Sequence, residues 1–207
     1  MSDVKGLQLL STLGEDGLLT VELVEQTVPA PKGREVLIRM EAAPINPSDL
    51  GLLFGPADVE NAEYSEGRLV ARMPEGAVRA MKARIGEAMP VGNEGAGTVI
   101  AAGDAPEAQA LLNRRVTCLP GGAYAQYRLV DAGACVALPD HVSAEQGASA
   151  FVNPLTSLGF TETMKLEGFT GLVHTAAASN LGQMLVKICQ EDGIPLVNIV
   201  RSAAREK

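Results

Sequence analysis

A chain of 207 residues is long enough for one or two domains with a sizeable core. With 46% hydrophobic and 20% charged residues it has an ordinary globular balance, and 3% aromatics with no Trp leave the core to aliphatic side chains. The formal net charge of -8 without a basic cluster excludes a nucleic-acid binder and argues against an anionic membrane surface, and no run approaches about 18 apolar residues, so no membrane span is expected.

The segment from Met1 to Gly6 lacks the apolar centre of a signal peptide. Cys118, Cys135 and Cys189 are far apart and set among apolar residues, with neither metal spacing nor a disulfide framework; this fits a reducing cytoplasm. Residues 1–150 read as short β-like runs separated by Gly and Pro: Leu7–Ser11, Leu18–Val24, Glu35–Ala43, Gly97–Ala102, Arg115–Leu119, Ala123–Val130 and Cys135–Leu138. Such punctuation predicts a barrel-like or sandwich-like β domain. A more charged interval from Pro56 to Ala88 interrupts it, and Pro74-Glu75-Gly76 starts a helix over Ala77–Glu87 with Val78, Met81 and Ile85 on one face. By position alone, this interval is a candidate for shaping a substrate mouth. From Ser143 the pattern turns helical: Ser143 and Gln146 have the spacing of a capping box, and Asn153-Pro154 marks a break or a fresh start.

The last forty residues carry the chemistry. Gly171–Ala176 reads as a short buried strand, Ala177–Gly182 as a small-residue turn, Gln183–Asp192 as a helix ended by Gly193, and Pro195–Val200 as a second strand. One strand–turn–helix–strand unit of this kind holds a dinucleotide pyrophosphate at the helix N-terminus. The usual Gly-x-Gly-x-x-Gly is here Ala177-x-Ser179-x-x-Gly182, so only the third glycine remains, while Ser179 and Asn180 can donate side-chain hydrogen bonds to phosphate. Leu181, Leu185, Ile188 and Cys189 share one helix face. A structural unit of some other α/β protein is the competing reading of the turn alone. Arg201, nineteen positions after Gly182, shifts the balance: an acid at that strand end bonds a ribose 2′-hydroxyl, whereas a guanidinium accepts a 2′-phosphate. A solvated surface arginine is the alternative.

Several stretches in order resemble the medium-chain dehydrogenase/reductase superfamily, within it the zinc-free quinone oxidoreductase and enoyl thioester reductase branches. They are Val36–Met40 leading to Ile45-Asn46-Pro47-Ser48-Asp49, then Pro90–Val99, Gly122–Tyr127, Leu138-Pro139 with Val142–Ala148, and Val152–Ser157. The resemblance covers nearly the whole chain. It implies a mixed α/β fold: a GroES-like β-barrel domain with catalytic residues (1–150), followed by the first β-α-β of a Rossmann domain (151–207), truncated. Zinc-dependent members place Cys at Asn46, His at Asn93 and typically Cys near Asn153, so the resemblance implies that no metal is bound; an amide is a poor zinc ligand. His141 and His174 are read as structural.

The resemblance further implies NADP(H) as cofactor and reduction of a quinone or α,β-unsaturated carbonyl. Asn46, Ser48 and Asp49 are nominated beside substrate and nicotinamide, Asn153 and Thr156 on the nicotinamide side, and Ala178, Ser179, Asn180, Leu181, Gly182 and Arg201 for the rest of the cofactor. The bland reading of Asn46–Asp49 is a turn or helix cap. Enoyl reductase relatives carry a tyrosine soon after this motif; Tyr64 is the one tyrosine before Gly92 and the candidate proton donor, against an exposed loop tyrosine. Tyr124 and Tyr127 read as packing residues, and Glu94 corresponds to a position beside the metal site of zinc members. Members of the family continue well beyond residue 207, which makes the chain a piece of a longer homodimeric reductase, a half completed by a partner chain, or a non-catalytic GroES-like binding or assembly module with a vestigial nucleotide turn.

Overall fold

The computed structural model describes residues 3–202. Two compact units divide the chain, Met1–Ser149 and Ala150–Lys207.

In the first unit, β1 (Val4–Leu13) and β2 (Leu18–Val28) form a long antiparallel hairpin. Its turn closes at Gly17, whose φ of 74° suits a residue without a Cβ, and Asp16 accepts from the Leu18 N–H at 3.0 Å. Alternation is clear in β2, where Leu19 and Val21 are buried and their neighbours are not. By contrast, β3 (Glu35–Ala42) buries Val36, Leu37 and Ile38 in succession, because this strand is covered on both faces. Next come α1 (Pro47–Leu53), β4 (Glu63–Ser65), β5 (Arg68–Arg72), α2 (Glu75–Ala80), a 3-10 turn at Lys82–Arg84, and β6 (Ala88–Pro90). Then β7 (Gly95–Ala102), α3 (Pro106–Gln109), β8 (Arg115–Cys118), β9 (Tyr127–Asp131), β10 (Cys135–Ala137) and α4 (Ala144–Gly147) complete the unit. The strands make two five-stranded sheets, ordered β4-β5-β2-β1-β6 and β10-β8-β7-β3-β9. Each sheet has an aliphatic interior, Val36, Ile38, Val99, Val116 and Val130 in the second and Leu13, Leu19, Val21 and Val91 in the first.

The expected strand Ala123–Val130 begins only at Tyr127. Residues 124–126 instead run across β1: Leu9 N–H donates to the Tyr124 carbonyl and Gln126 N–H to Leu7, both at 2.8 Å. That crossing carries the first sheet over to the second. The Pro56–Ala88 interval also differs from expectation. Its helix stops at Ala80, a 3-10 turn follows, and Gly86 at φ 79° turns the chain into β6. The anticipated apolar face survives, with Val78, Met81 and Ile85 packed on the first core. The interval further supplies β4 and β5; β5 pairs with β2 and buries Ala71, and Met73 just beyond it is buried as well. It is therefore woven into the sheet, and its charges are spread over β4, β5, α2 and the turns between them, with Arg84 turned inward to Ser11 and Leu52.

Helix α1 is anchored at its C-terminus. Its orphan carbonyls are taken by side chains, Leu53 by the Ser11 hydroxyl at 3.0 Å and Leu52 by Arg84 at 2.7 Å. Ser143 caps α4 in the expected box, accepting from Gln146 N–H while the Gln146 side chain accepts from Ser143 N–H.

The second unit contains α5 (Val152–Leu166), β11 (Leu172–His174), α6 (Asn180–Asp192) and β12 (Leu196–Asn198), with β11 and β12 parallel. Pro154 falls in the first turn of α5, where a missing N–H costs nothing. Gly193 ends α6 in the left-handed conformation at φ 67°. Leu185 and Cys189 are the buried residues of the predicted face, with Gly182 beside them. His174 packs against Phe160 with ring centroids 6.0 Å apart. Among the described residues no helix is long and apolar enough to cross a membrane.

Close backbone packing between β3 and β7 yields a first prediction. A Cβ at Gly97 would run into the Arg39 carbonyl. Gly97→Ala should cost about 3 kcal/mol of stability by overpacking, read as a lowered urea midpoint followed by circular dichroism.

Candidate active site

In the first unit the candidate residues gather around one buried carboxylate. Asp49 is 2% exposed, and both of its oxygens are occupied. Oδ2 accepts from the Asn46 N–H at 2.7 Å, and Oδ1 accepts from the Asn93 N–H at 2.9 Å. One side chain thus ties the start of α1 to the segment entering β7. Two side-chain bonds form across the same junction: Asn46 Nδ2 donates to Glu94 Oε1 at 3.0 Å, and Asn93 Nδ2 donates to Ser48 Oγ at 3.0 Å. Asn46 and Glu94 are buried, whereas Ser48 faces solvent. Because Ser48 receives a hydrogen bond on its oxygen, its own proton is left to donate elsewhere. The motif Asn46–Asp49 is thus both a helix cap and the nucleus of a polar cluster.

Tyr124 packs on the first core, as its reading as a packing residue expected, and it belongs to this polar cluster too. Its hydroxyl donates to the Pro44 carbonyl at 2.9 Å, and its pKa is pushed up, chiefly by burial and then by the Asp49 carboxylate. The phenol is therefore locked in its protonated form beside the motif. The signal available in the sequence was the small-residue run Gly121–Ala123, which lets the Tyr124 segment approach Val91 and Gly92; Tyr124 N–H donates to the Val91 carbonyl at 3.0 Å.

Tyr64 is placed elsewhere. It stands in edge strand β4 rather than a loop, 68% exposed, with its hydroxyl donating to the Val59 carbonyl at 2.9 Å. Its hydroxyl proton is thus given to the main chain of its own segment and not to the Asn46 motif. Among the described residues no three His, Cys, Asp or Glu side chains come together as a metal-holding group.

In the second unit, Ala178, Ser179 and Arg201 line one open cleft of about 310 Å³, together with Thr175–Ala177, Ile199 and Val200. The turn after β11 and the end of β12 therefore lie side by side, as the parallel pairing requires. Ser179 caps α6, its Oγ accepting from the Gly182 N–H at 3.0 Å, so α6 begins at Asn180 and takes in Asn180, Leu181 and Gly182 as its first turn. A Cβ at Gly182 would strike the carbonyls of Ala176 and Ala177, which shows how closely the helix start sits on the turn. A small-residue turn at a helix N-terminus with a guanidinium opposite is a fitting cradle for a phosphorylated dinucleotide. On α5, Asn153 is buried and its carbonyl accepts from the Ser157 hydroxyl, which also reaches the Leu181 carbonyl at 3.2 Å. Thr156 donates its hydroxyl to the Val152 carbonyl at 2.6 Å.

Residues 32–140 match the model of the alcohol dehydrogenase GroES-like domain. A mitochondrial enoyl-[acyl-carrier-protein] reductase of Mus musculus is 26% identical over 188 residues, covering 90% of this chain and 44% of the relative. A chloroplastic quinone-oxidoreductase homolog of Spinacia oleracea is 30% identical over 186 residues, covering 86% of this chain and 49% of the relative. Among solved structures, a Mesorhizobium loti protein provisionally described as an NADPH:quinone reductase superposes with a TM-score of 0.66 at 29% identity, over 99% of this chain and 56% of its own. The chain thus spans about half the length of the curated relatives it matches.

The Asp49 junction is directly testable. Asp49→Asn would turn one accepting oxygen into a donor facing a main-chain N–H. Loss of that bond with burial of unpaired polar groups should destabilise the first unit by about 2–4 kcal/mol, measured by urea denaturation.

Proposed function

This chain belongs to the alcohol dehydrogenase GroES-like domain family, and from that premise we propose that it serves zinc-independent, NADPH-dependent transfer of hydride to a quinone or an α,β-unsaturated carbonyl compound. The observation that carries the proposal is the meeting of Ser179, the start of α6 and Arg201 around one cleft. A helix N-terminus favours the pyrophosphate, and a guanidinium favours the 2′-phosphate that distinguishes NADPH from NADH. The names of the relatives, an enoyl reductase and a quinone-oxidoreductase homolog, support the same chemistry. On this reading residues 1–150 are the catalytic GroES-like domain and 151–207 the nucleotide-binding portion. The full-length form would be a homodimer acting on a small molecule in the cytoplasm.

NADPH, when bound, supplies the hydride. Arg201 would hold its 2′-phosphate; Ala178, Ser179, Asn180, Leu181 and Gly182 would hold its pyrophosphate, with Asn153 and Thr156 toward the nicotinamide. Hydride addition to an enone or quinone builds negative charge on oxygen, which preorganised donors stabilise. Ser48 is the group suited to that task, because Asn93 occupies its oxygen and leaves its proton to donate. Asn46 and Asn93 both direct side-chain nitrogens to protein acceptors, and neither offers a thiolate or imidazole, which supports metal-free chemistry. Asp49 is a positioning residue, since both oxygens are spent on main-chain N–H groups. The exposed Tyr64 gains no support as proton donor.

Two measurements test the proposal. NADPH and NADH are titrated by cofactor fluorescence, which the absence of Trp leaves clear. Arg201→Ala should weaken NADPH binding by roughly 10- to 100-fold, equivalent to about 1.4–3 kcal/mol, and leave NADH unchanged. Loss of both cofactors to the same degree, or no binding by the folded protein, would favour the non-catalytic module. Where turnover of a quinone or enone is observed, Ser48→Ala should lower kcat about 100-fold without altering NADPH affinity.

A further inference from the structure

Two cysteines that no part of the proposed reaction uses stand directly opposite each other. Cys118 ends β8, Cys135 begins β10, and the antiparallel register pairs them. The kind of pair follows from the ladder. Leu138 N–H donates to the Arg115 carbonyl at 2.9 Å, and these residues are opposed in the same register, which makes them a hydrogen-bonded pair. Such pairs alternate, so Thr117 with Val136 is the next, and Cys118 with Cys135 is a non-hydrogen-bonded pair. There the Cα atoms stand about 4.5 Å apart and the side chains lean together. Disulfides need roughly 4.4–6.8 Å between Cα atoms, so the backbone already meets the requirement.

We propose that Cys118 and Cys135 form a redox-active dithiol that closes to a cross-strand disulfide when the protein meets a peroxide. Both thiols are free and each is parked on a carbonyl, Cys118 Sγ on Gly95 at 3.5 Å and Cys135 Sγ on Asp131 at 3.7 Å. Rotation about χ1 turns the sulfurs from these carbonyls toward each other. Cys135 is the half-buried member on edge strand β10 and meets the oxidant first. Its sulfur attacks hydrogen peroxide; an S–O bond forms, the O–O bond breaks, and water leaves with the thiol proton. Cys118 then attacks the sulfenic sulfur; the S–S bond forms, the S–O bond breaks, and a second water departs with the Cys118 proton. Two thiols are oxidised and one peroxide becomes two waters.

The surroundings set the pace. Burial pushes Cys135 up to about 11, with Asp131 adding to it, and Asp131 is itself held low by its bond to Arg34. Burial pushes Cys118 up to about 12; Cys135 adds to this, and the Arg128 guanidinium works against it. The Arg128 Nε is buried and without a hydrogen-bond partner among the described residues. Thiolate is the reacting form, so oxidation should accelerate about tenfold per pH unit up to the Cys135 value. Closure also removes the Cys118 S–H from the Gly95 carbonyl, one residue from Glu94.

The full chain is exposed to hydrogen peroxide at several pH values, alkylated after unfolding and digested with trypsin. Cleavage after Arg115, Arg128 and Lys165 places the two cysteines in different peptides, 116–128 and 129–165. A cross-linked pair of these peptides, released by dithiothreitol and formed faster at higher pH, supports the proposal. In Cys118→Ser the partner sulfur should halt at sulfenic acid, trapped by dimedone. Cys135 passing to sulfinic acid while Cys118 stays alkylatable overturns it. So does persistence of both free thiols at a peroxide level that oxidises exposed methionines.

Discussion

The first unit's site depends on one buried carboxylate. Asp49 takes its two hydrogen bonds from main-chain N–H groups 47 residues apart, at Asn46 and Asn93. A buried carboxylate needs such donors, and two backbone amides are rigid ones. With these two points fixed, Asn46 meets Glu94 and Asn93 meets Ser48 without further adjustment. The polar cluster is thus assembled by a cap that also serves as a cross-brace.

Neighbouring strands of the second sheet bring those points together. β3 leads into α1 through Pro44, and β7 begins two residues after Asn93. The crossing segment 124–126 bonds to β1 on one side and delivers the Tyr124 hydroxyl to Pro44 on the other. Arg84 and Ser11 hold the far end of α1. Interior aliphatic packing supplies the rigidity, and the polar residues inherit their positions from it. The Cys118–Cys135 pair has the same origin, since only the strand register decides that these two thiols face each other.

In the second unit a short parallel pair performs the equivalent service. Parallel β11 and β12 present their C-terminal ends on the same side, where ligands of open α/β sheets bind. Ser179 satisfies the Gly182 N–H, and Gly182 permits contact that any side chain would prevent. Arg201 follows β12 and completes the cleft.

Much of this was legible in the residues. Gly and Pro punctuation between short β-like runs marked the strands of the first unit, the Ser143 capping box and the Gly193 helix end were read from type and spacing, and the unit from Gly171 to Val200 showed its strand–turn–helix–strand order. These features are local: propensity, capping and periodicity act within a few residues. The sequence also determined which side chains stand at the candidate positions, amides at Asn46, Asn93 and Asn153 and a guanidinium at Arg201. Only the tertiary structure decided what they touch. That Asp49 is consumed by two backbone amides, that Tyr124 rather than Tyr64 lies beside the motif, that residues 56–88 are sheet as well as helix, and that Cys118 faces Cys135 all rest on contacts between distant segments. Such contacts are set by sheet register and core packing, which no local pattern encodes.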